Sequence, residues 1–227
     1  RNARRNHGEV HVTEQVVGFK KIKFHTNENV GAGELTMPEN EMHTTSYWLT
    51  VPREIVRALP FSLEERRDGV VALSYTLGQL AALFLMCDRH DLGVALGDNG
   101  QGDARVERGL LRAGFASRGQ DPFDPSPGGG AGGAGAPPQH DRGTGFTPAP
   151  REDDFEPNVF VYDAYPGGIG LSEPLFRLHD RLLAESRALI AACECDDGCP
   201  SCVGPAGEVG SRGKEVALAL LDAILAE

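Results

Sequence analysis

Apolar and polar positions alternate over the first part of the chain, and the period then changes. Residues 9–25, beginning "EVHVTEQVVGFKKIKF", are rich in β-branched and apolar side chains in partial alternation, which predicts a strand or hairpin bent near Gly18. "GELTM" and "TTSYWLTV" (44–51) read as further strands, the second stopped by Pro52. From Ser62 to about Met86 the pattern turns helical: a capping serine, an acidic first turn, then apolar residues nearly all round the second half. Such a helix buries its later turns. "LGVAL" after "CDRHD" predicts a short buried strand, and "NVFVYD" (158–163) another. A helix is expected from about Ser172 to Ala192, and an amphipathic one over the closing "SRGKEVALALLDAILAE". No internal repeat is present.

Between the last two strands the pattern collapses. Half of residues 121–150 are Gly or Pro and almost none are apolar. Such a stretch cannot bury enough surface to offset the entropy of ordering it, so a flexible insertion is expected at about 100–155. The order of elements predicts an α+β class: one domain over residues 1–227 with a small mixed sheet, several helices and a four-cysteine loop near the C-terminus.

Composition narrows the function. The 227 residues are 40% hydrophobic, enough for a core, and no apolar run approaches the length of a membrane span. The opening "RNARRNHGEV" has neither a methionine nor the apolar centre of a signal peptide, so a piece of a longer, cytoplasmic protein is expected. The net charge of −11 opposes a broad positive field for nucleic acid. Residues 1–25 nevertheless carry six Lys/Arg against Glu9 and Glu14, whereas residues 151–227 carry six against fifteen acidic side chains. Phosphate contacts are therefore expected on the N-terminal side, at Lys20, Lys21 and Lys23. The plainer reading of "FKKIKF" is an amphipathic strand with solvated lysines.

Four of the five cysteines fall in ten residues, Cys193-x-Cys195-x3-Cys199-x2-Cys202. A C-x-x-C turn aims two thiolates at one point, and "DDG" (196–198) supplies the reversal that brings the other pair to it. Structural zinc is the expectation, because four protein sulfurs leave no position for water or substrate. A thioredoxin-like pair at Cys199 and Cys202, an iron–sulfur site and a disulfide are the alternatives. Cys87 in "CDRHD" is either part of a second metal site with Asp88, His90 and Asp91 or a small buried cysteine at a helix end.

"YDAYPGGIGLSE" reads as a strand, a glycine turn and a helix start capped by Ser172. Its amides are candidates for holding a phosphate; alternatively Gly167, Gly168 and Gly170 let strand and helix pack closely. "GSRGKE" fails as a nucleotide loop, since residue 208 is Glu where glycine is needed and Lys214 precedes Glu215. It reads instead as a helix start capped by Ser211. No nucleophile–base pair and no H-E-x-x-H motif is present, so the chain by itself is not expected to be an enzyme.

The segments "VVGFKKIKFHTNENVG", "HTTSYWL", "LMCDRHDLG", "VFVYDAYPGGIGLSE" and "CECDDGCPSCVGP", in this order, resemble the C-terminal zinc-binding domain of MrfA/YprA-type (SftH-like) superfamily-two DEAD/DEAH-box DNA helicases. The resemblance covers the chain except about residues 100–155. It implies zinc on Cys193, Cys195, Cys199 and Cys202, and a parent that is an ATP-dependent, 3′-to-5′ DNA helicase of DNA repair. ATP would be bound only by motor domains upstream. Two roles follow as expectations. The domain contacts single-stranded DNA through Lys20, Lys21, Lys23, Trp48 or Tyr47, and Gly167 and Gly168; or it is a brace or protein-interaction module that touches no DNA. A thiol redox domain is the third class, and no membrane is involved.

Overall fold

The computed structural model describes residues 3–24, 26, 28–99 and 154–226. Four strands form the main sheet: β1 (Arg4–Glu14), β4 (Asn40–Thr50), β5 (Leu92–Asp98) and β6 (Pro157–Asp163), in the order β1-β4-β6-β5. Among the described residues, two more, β2 (Gly18–Ile22) and β3 (Asn29–Glu34), pair only with each other. The helices are α1 (Arg53–Ala58), α2 (Leu63–Leu85), α3 (Ser172–Arg177), α4 (His179–Ala192), α5 (Ala206–Val209) and α6 (Gly213–Leu225). The α+β class holds.

The sheet is antiparallel at every pairing, where a mixed one was expected. The helical crossover through α1 and α2 does make β4 and β5 run parallel. They are not neighbours, however, because β6 returns between them antiparallel to both. The strand expected over 9–25 is two strands: β1 runs along β4 from Arg4↔Thr50 to Glu14↔Asn40, and the chain then leaves the sheet to form β2 and β3. Most of the expected insertion, 100–153, lies outside the described residues. Its last two positions do not belong to it, since Phe155 is buried in the core.

Alternation decides which sheet face is covered. Tyr47, Leu49, Val159, Val161 and Leu96 point to the helical side and are nearly or fully buried there. On that side α2 is the central element. Ser62 caps it in a full capping box with Glu65, and Met86 ends it in a left-handed conformation (φ 52°). Its length and hydropathy would allow a membrane span, but most of it is buried within the protein. Two glycines let neighbours approach its backbone: a Cβ at Gly69 would lie 2.4 Å from Val216 of α6, and one at Gly78 2.7 Å from Val94 of β5. The helix expected over 172–192 is broken at Leu178 into α3 and α4. Neither Ser172 nor Ser211 caps a helix: α3 and α6 begin after Leu171 and Arg212 without a side-chain cap.

Gly69→Ala is expected to lower stability by about 1–2 kcal/mol in urea unfolding, the collision with Val216 outweighing the ~1 kcal/mol gain in helix propensity. Ser62→Ala, which removes only the cap, should cost about 1 kcal/mol.

Candidate metal centre

The C-terminal end of α4 delivers the first two cysteines. Cys193 leaves helical geometry (φ −73°, ψ 127°), and the chain reverses at Gly198 (φ 127°). A side chain at Gly198 would be strained by that φ and would also meet Val203 at 2.7 Å. The second pair sits on a tight turn in which the Cys202 and Gly204 amides both donate to the Cys199 carbonyl at 3.0 Å.

The four sulfurs converge. Cys193 and Cys195, Cys193 and Cys199, and Cys195 and Cys202 are 3.5 Å apart, Cys199 and Cys202 3.6 Å, and all lie within 4.8 Å of one another. Sulfurs about 2.3 Å from a tetrahedral ion stand roughly 3.8 Å apart, so the figure fits one zinc ion. It is far from the roughly 2.05 Å of a disulfide, and all four cysteines are free. A cage this small has no room for a multi-iron cluster. The Cys199–Cys202 segment is a turn rather than the start of a helix, unlike a thioredoxin-type redox pair. The thiols are unequal. The Ser201 backbone N–H, donating to the Cys199 sulfur, brings its pKa down to about 7, helped by the neighbouring thiols. Burial pushes Cys202 up to about 12. A bound cation would replace the protons on both.

Two helices fasten this loop. From α2, Tyr75 Oη and Gln79 Nε2 donate to the Pro200 carbonyl at 3.0 and 3.1 Å, and Thr76 Oγ1 donates to the buried Cys202 carbonyl at 3.1 Å. From α6, Lys214 Nζ donates to the Cys193 carbonyl at 2.7 Å and also to that of Cys195. Lys214 is the lysine of "GSRGKE". It grips the backbone between the first ligands, and its positive charge stands beside what becomes a tetrathiolate dianion. Nothing in the spacing of "GSRGKE" announced this role; only the packing of α6 against α4 brings the two together.

The glycine turn is organised by a residue that sequence reasoning passed over. Asp163, at the end of β6 and 1% exposed, accepts from the amides of Ile169 (2.7 Å), Gly170 (2.9 Å) and Leu171 (3.3 Å) and from Thr45 Oγ1 (3.1 Å). The Gly167 and Gly168 amides donate to the carbonyls of His43 and Tyr165. The carboxylate thus occupies the place in which a phosphate was expected, and the amides of 167–171 are engaged within the protein. Gly168 (φ 72°) also lies against Thr45, where a Cβ would come within 2.5 Å of Oγ1.

The other expected contacts lie apart. Lys20, Lys21 and Lys23 are on or just beyond β2, away from the main sheet. Trp48 faces the side of the sheet opposite the helices, its ring 5.7 Å from that of Phe160 and across from Gly8. Tyr47 faces the helices, fully buried, its hydroxyl 2.7 Å from His179 Nδ1. The glycine turn is on that same helical side, beside Thr45. No single surface holds all of them. Cys87 does not form a second cluster: among the described residues, the four C-terminal cysteines are the group that converges on a metal position.

Serine at any of Cys193, Cys195, Cys199 or Cys202 should abolish stoichiometric zinc and lower the melting temperature, measured by metal analysis and calorimetry; Cys87→Ser should cost less than about 1 kcal/mol. Lys214→Met should keep the ligands but weaken zinc retention against a chelator by about tenfold or more. Asp163→Ala, which strands three amides, should cost about 2–4 kcal/mol.

Residues 139–203 match the family model of the MrfA Zn-binding domain, a stretch that includes all four clustered cysteines. The uncharacterized ATP-dependent helicase YprA of Bacillus subtilis (strain 168) is 30% identical over 217 residues, 96% of this chain and 22% of that protein. An uncharacterized protein of Methanocaldococcus jannaschii is 42% identical over 45 residues, 20% of this chain and 40% of its own length. A crystal structure of the DUF1998 helicase MrfA bound to DNA superposes with a TM-score of 0.57 at 26% identity, over 98% of this chain and 22% of that one. The chain therefore spans about a fifth of the length of the helicases it matches. Its cysteine cage, its fold and these likenesses agree, and together they support a zinc-binding domain similar to that of MrfA/YprA-type helicases.

Proposed function

We propose that the chain is the accessory domain of a cytoplasmic, ATP-dependent, 3′-to-5′ DNA helicase of DNA repair, and that it braces the motor rather than gripping the DNA strand. Its zinc is structural, and ATP belongs to the motor domains. The observation that carries this reading is the state of the N-terminal cations. Among the described residues, Arg4 pairs with Glu156 at 3.0 Å, Arg5 with Asp180 at 3.2 Å and Lys23 with Glu28 at 3.7 Å, while the Lys21 ammonium lies 5.7 Å from the Phe19 ring centroid. Cations already paired within the chain give up those pairs to meet a phosphate backbone, which offsets part of the gain. The net charge of −11 acts in the same direction. The likeness to a helicase crystallised with DNA supports the DNA-helicase parentage and keeps strand contact as the second reading.

Fluorescence anisotropy of a labelled single-stranded oligonucleotide separates the two. The brace predicts no binding by this chain even at low salt. Binding that weakens steeply with salt would make the domain part of the DNA grip, with a slope of about −0.7 per phosphate contact. In the parent helicase, Cys199→Ser should lower unwinding together with thermal stability.

A further inference from the structure

The β2–β3 hairpin has no companion in the fold. No helix or main-sheet strand packs substantially on it among the described residues. It is rooted where β1 and β4 end, at Glu14↔Asn40, and is steadied at its base by Gln15 Nε2 donating to the Met37 carbonyl (3.0 Å) and the Leu35 amide to the Val17 carbonyl (2.9 Å). An isolated two-stranded hairpin is marginal in water. Seven of the twelve exposed large hydrophobics among the described residues lie between 16 and 37, so the apolar exposure of this chain is concentrated on one projection. They include Val16, Val17, Phe19, Val30, Leu35 and Met37, each between 38% and 62% exposed. Clustered exposure of this kind marks an interaction site.

The surface is also shaped to lie flat. Phe19 pairs with Gly33 and Lys21 with Gly31. The Phe19 ring lies directly over Gly33, where a Cβ would come within 2.7 Å of it, and the Lys21 stem passes 3.9 Å from the corresponding point at Gly31. Large side chains on one strand rest on bare backbone of the other, so the Phe19 ring and the aliphatic Lys21 stem lie side by side on one face, with the Lys21 ammonium beside them. Residues 15–39 carry three lysines and three glutamates, so the arm has no net charge with which to draw a phosphate backbone.

We infer that the β2–β3 hairpin is a docking arm that seats its exposed apolar side chains on a folded protein surface, the motor region of the same polypeptide. The aligned region is 22% of the YprA chain, so most of that polypeptide lies outside it and is available as the partner. This inference rests on the brace reading. It names the contact through which the brace is attached, and it assigns the arm to protein rather than to DNA.

Hydrogen exchange, compared between this chain alone and the full parent helicase, tests it. The expected result is that amides of residues 18–22 and 29–34 exchange on the order of tenfold or more slowly in the parent. Phe19→Ser with Leu35→Ser in the parent should erase that protection, and in this chain alone should leave the melting temperature unchanged, since the arm supports nothing else. Arm amides that exchange equally fast in both, while the helices and cysteine loop are slowed in the parent, would overturn the arm and leave the brace standing. If no segment differs between the two, the brace fails as well. Protection of the arm in this chain by single-stranded oligo-thymidine would make it a DNA element. Protection that grows with this chain's own concentration would make it a self-association surface. Either result overturns the proposal.

Discussion

The buried hydrogen bond from Thr76 Oγ1 to the Cys202 carbonyl joins the core helix α2 to the cysteine loop. It stands at the middle of α2, the helix on which everything else rests. Val94 of the sheet sits against Gly78 and Val216 of α6 against Gly69, while Tyr75, Thr76 and Gln79 hold the cysteine loop. A helix used on every side must be apolar nearly all round, which is why its sequence also meets the length and hydropathy test for a membrane span. Because the loop's carbonyls are bonded to this helix, free energy gained when zinc organises the loop is transmitted to the core.

A second constraint explains the glycine turn. An aspartate buried at a strand end needs several donors, and the amides of Ile169, Gly170 and Leu171 supply them only if the chain curls through left-handed conformations at Gly167, Gly168 and Gly170. The same pattern of glycines before a helix suits a phosphate site. What separates the two cases is an acidic side chain six residues upstream, whose position in space depends on the strand it ends.

This contrast marks how far the sequence was legible. Spacing alone picked out the four cysteines that converge, because a tetrahedral ion is readily met by ligands close along the chain, and the serine cap at Ser62 marked the start of α2 for the same local reason. The strand segments around Trp48 and Phe160 were readable as strands. That β6 would enter between β4 and β5, and which of Trp48 and Tyr47 would face the helices, depended on pairings between distant segments. Lys214 was visible only as a failed nucleotide motif, since its partners Cys193 and Cys195 are supplied by another helix. The break at Leu178 carries no proline or glycine to announce it.

Zinc in a domain with an ample apolar core calls for a reason. Small folds use metal because they lack a core, yet here more than thirty hydrophobic residues are buried. The need is local. Between α4 and α5 the chain runs through "CECDDGCPSCVGP", which offers Val203 as its one large aliphatic anchor. Hydrophobic burial cannot fix such a segment, whereas four metal–sulfur bonds with carbonyl contacts to α2 and α6 can. The result is a fixed corner between α4 and α6, held against the middle of α2, in contrast to the projecting β2–β3 hairpin. A corner fixed by four sulfurs beside a hairpin with exposed apolar side chains is the arrangement on which the proposed brace rests.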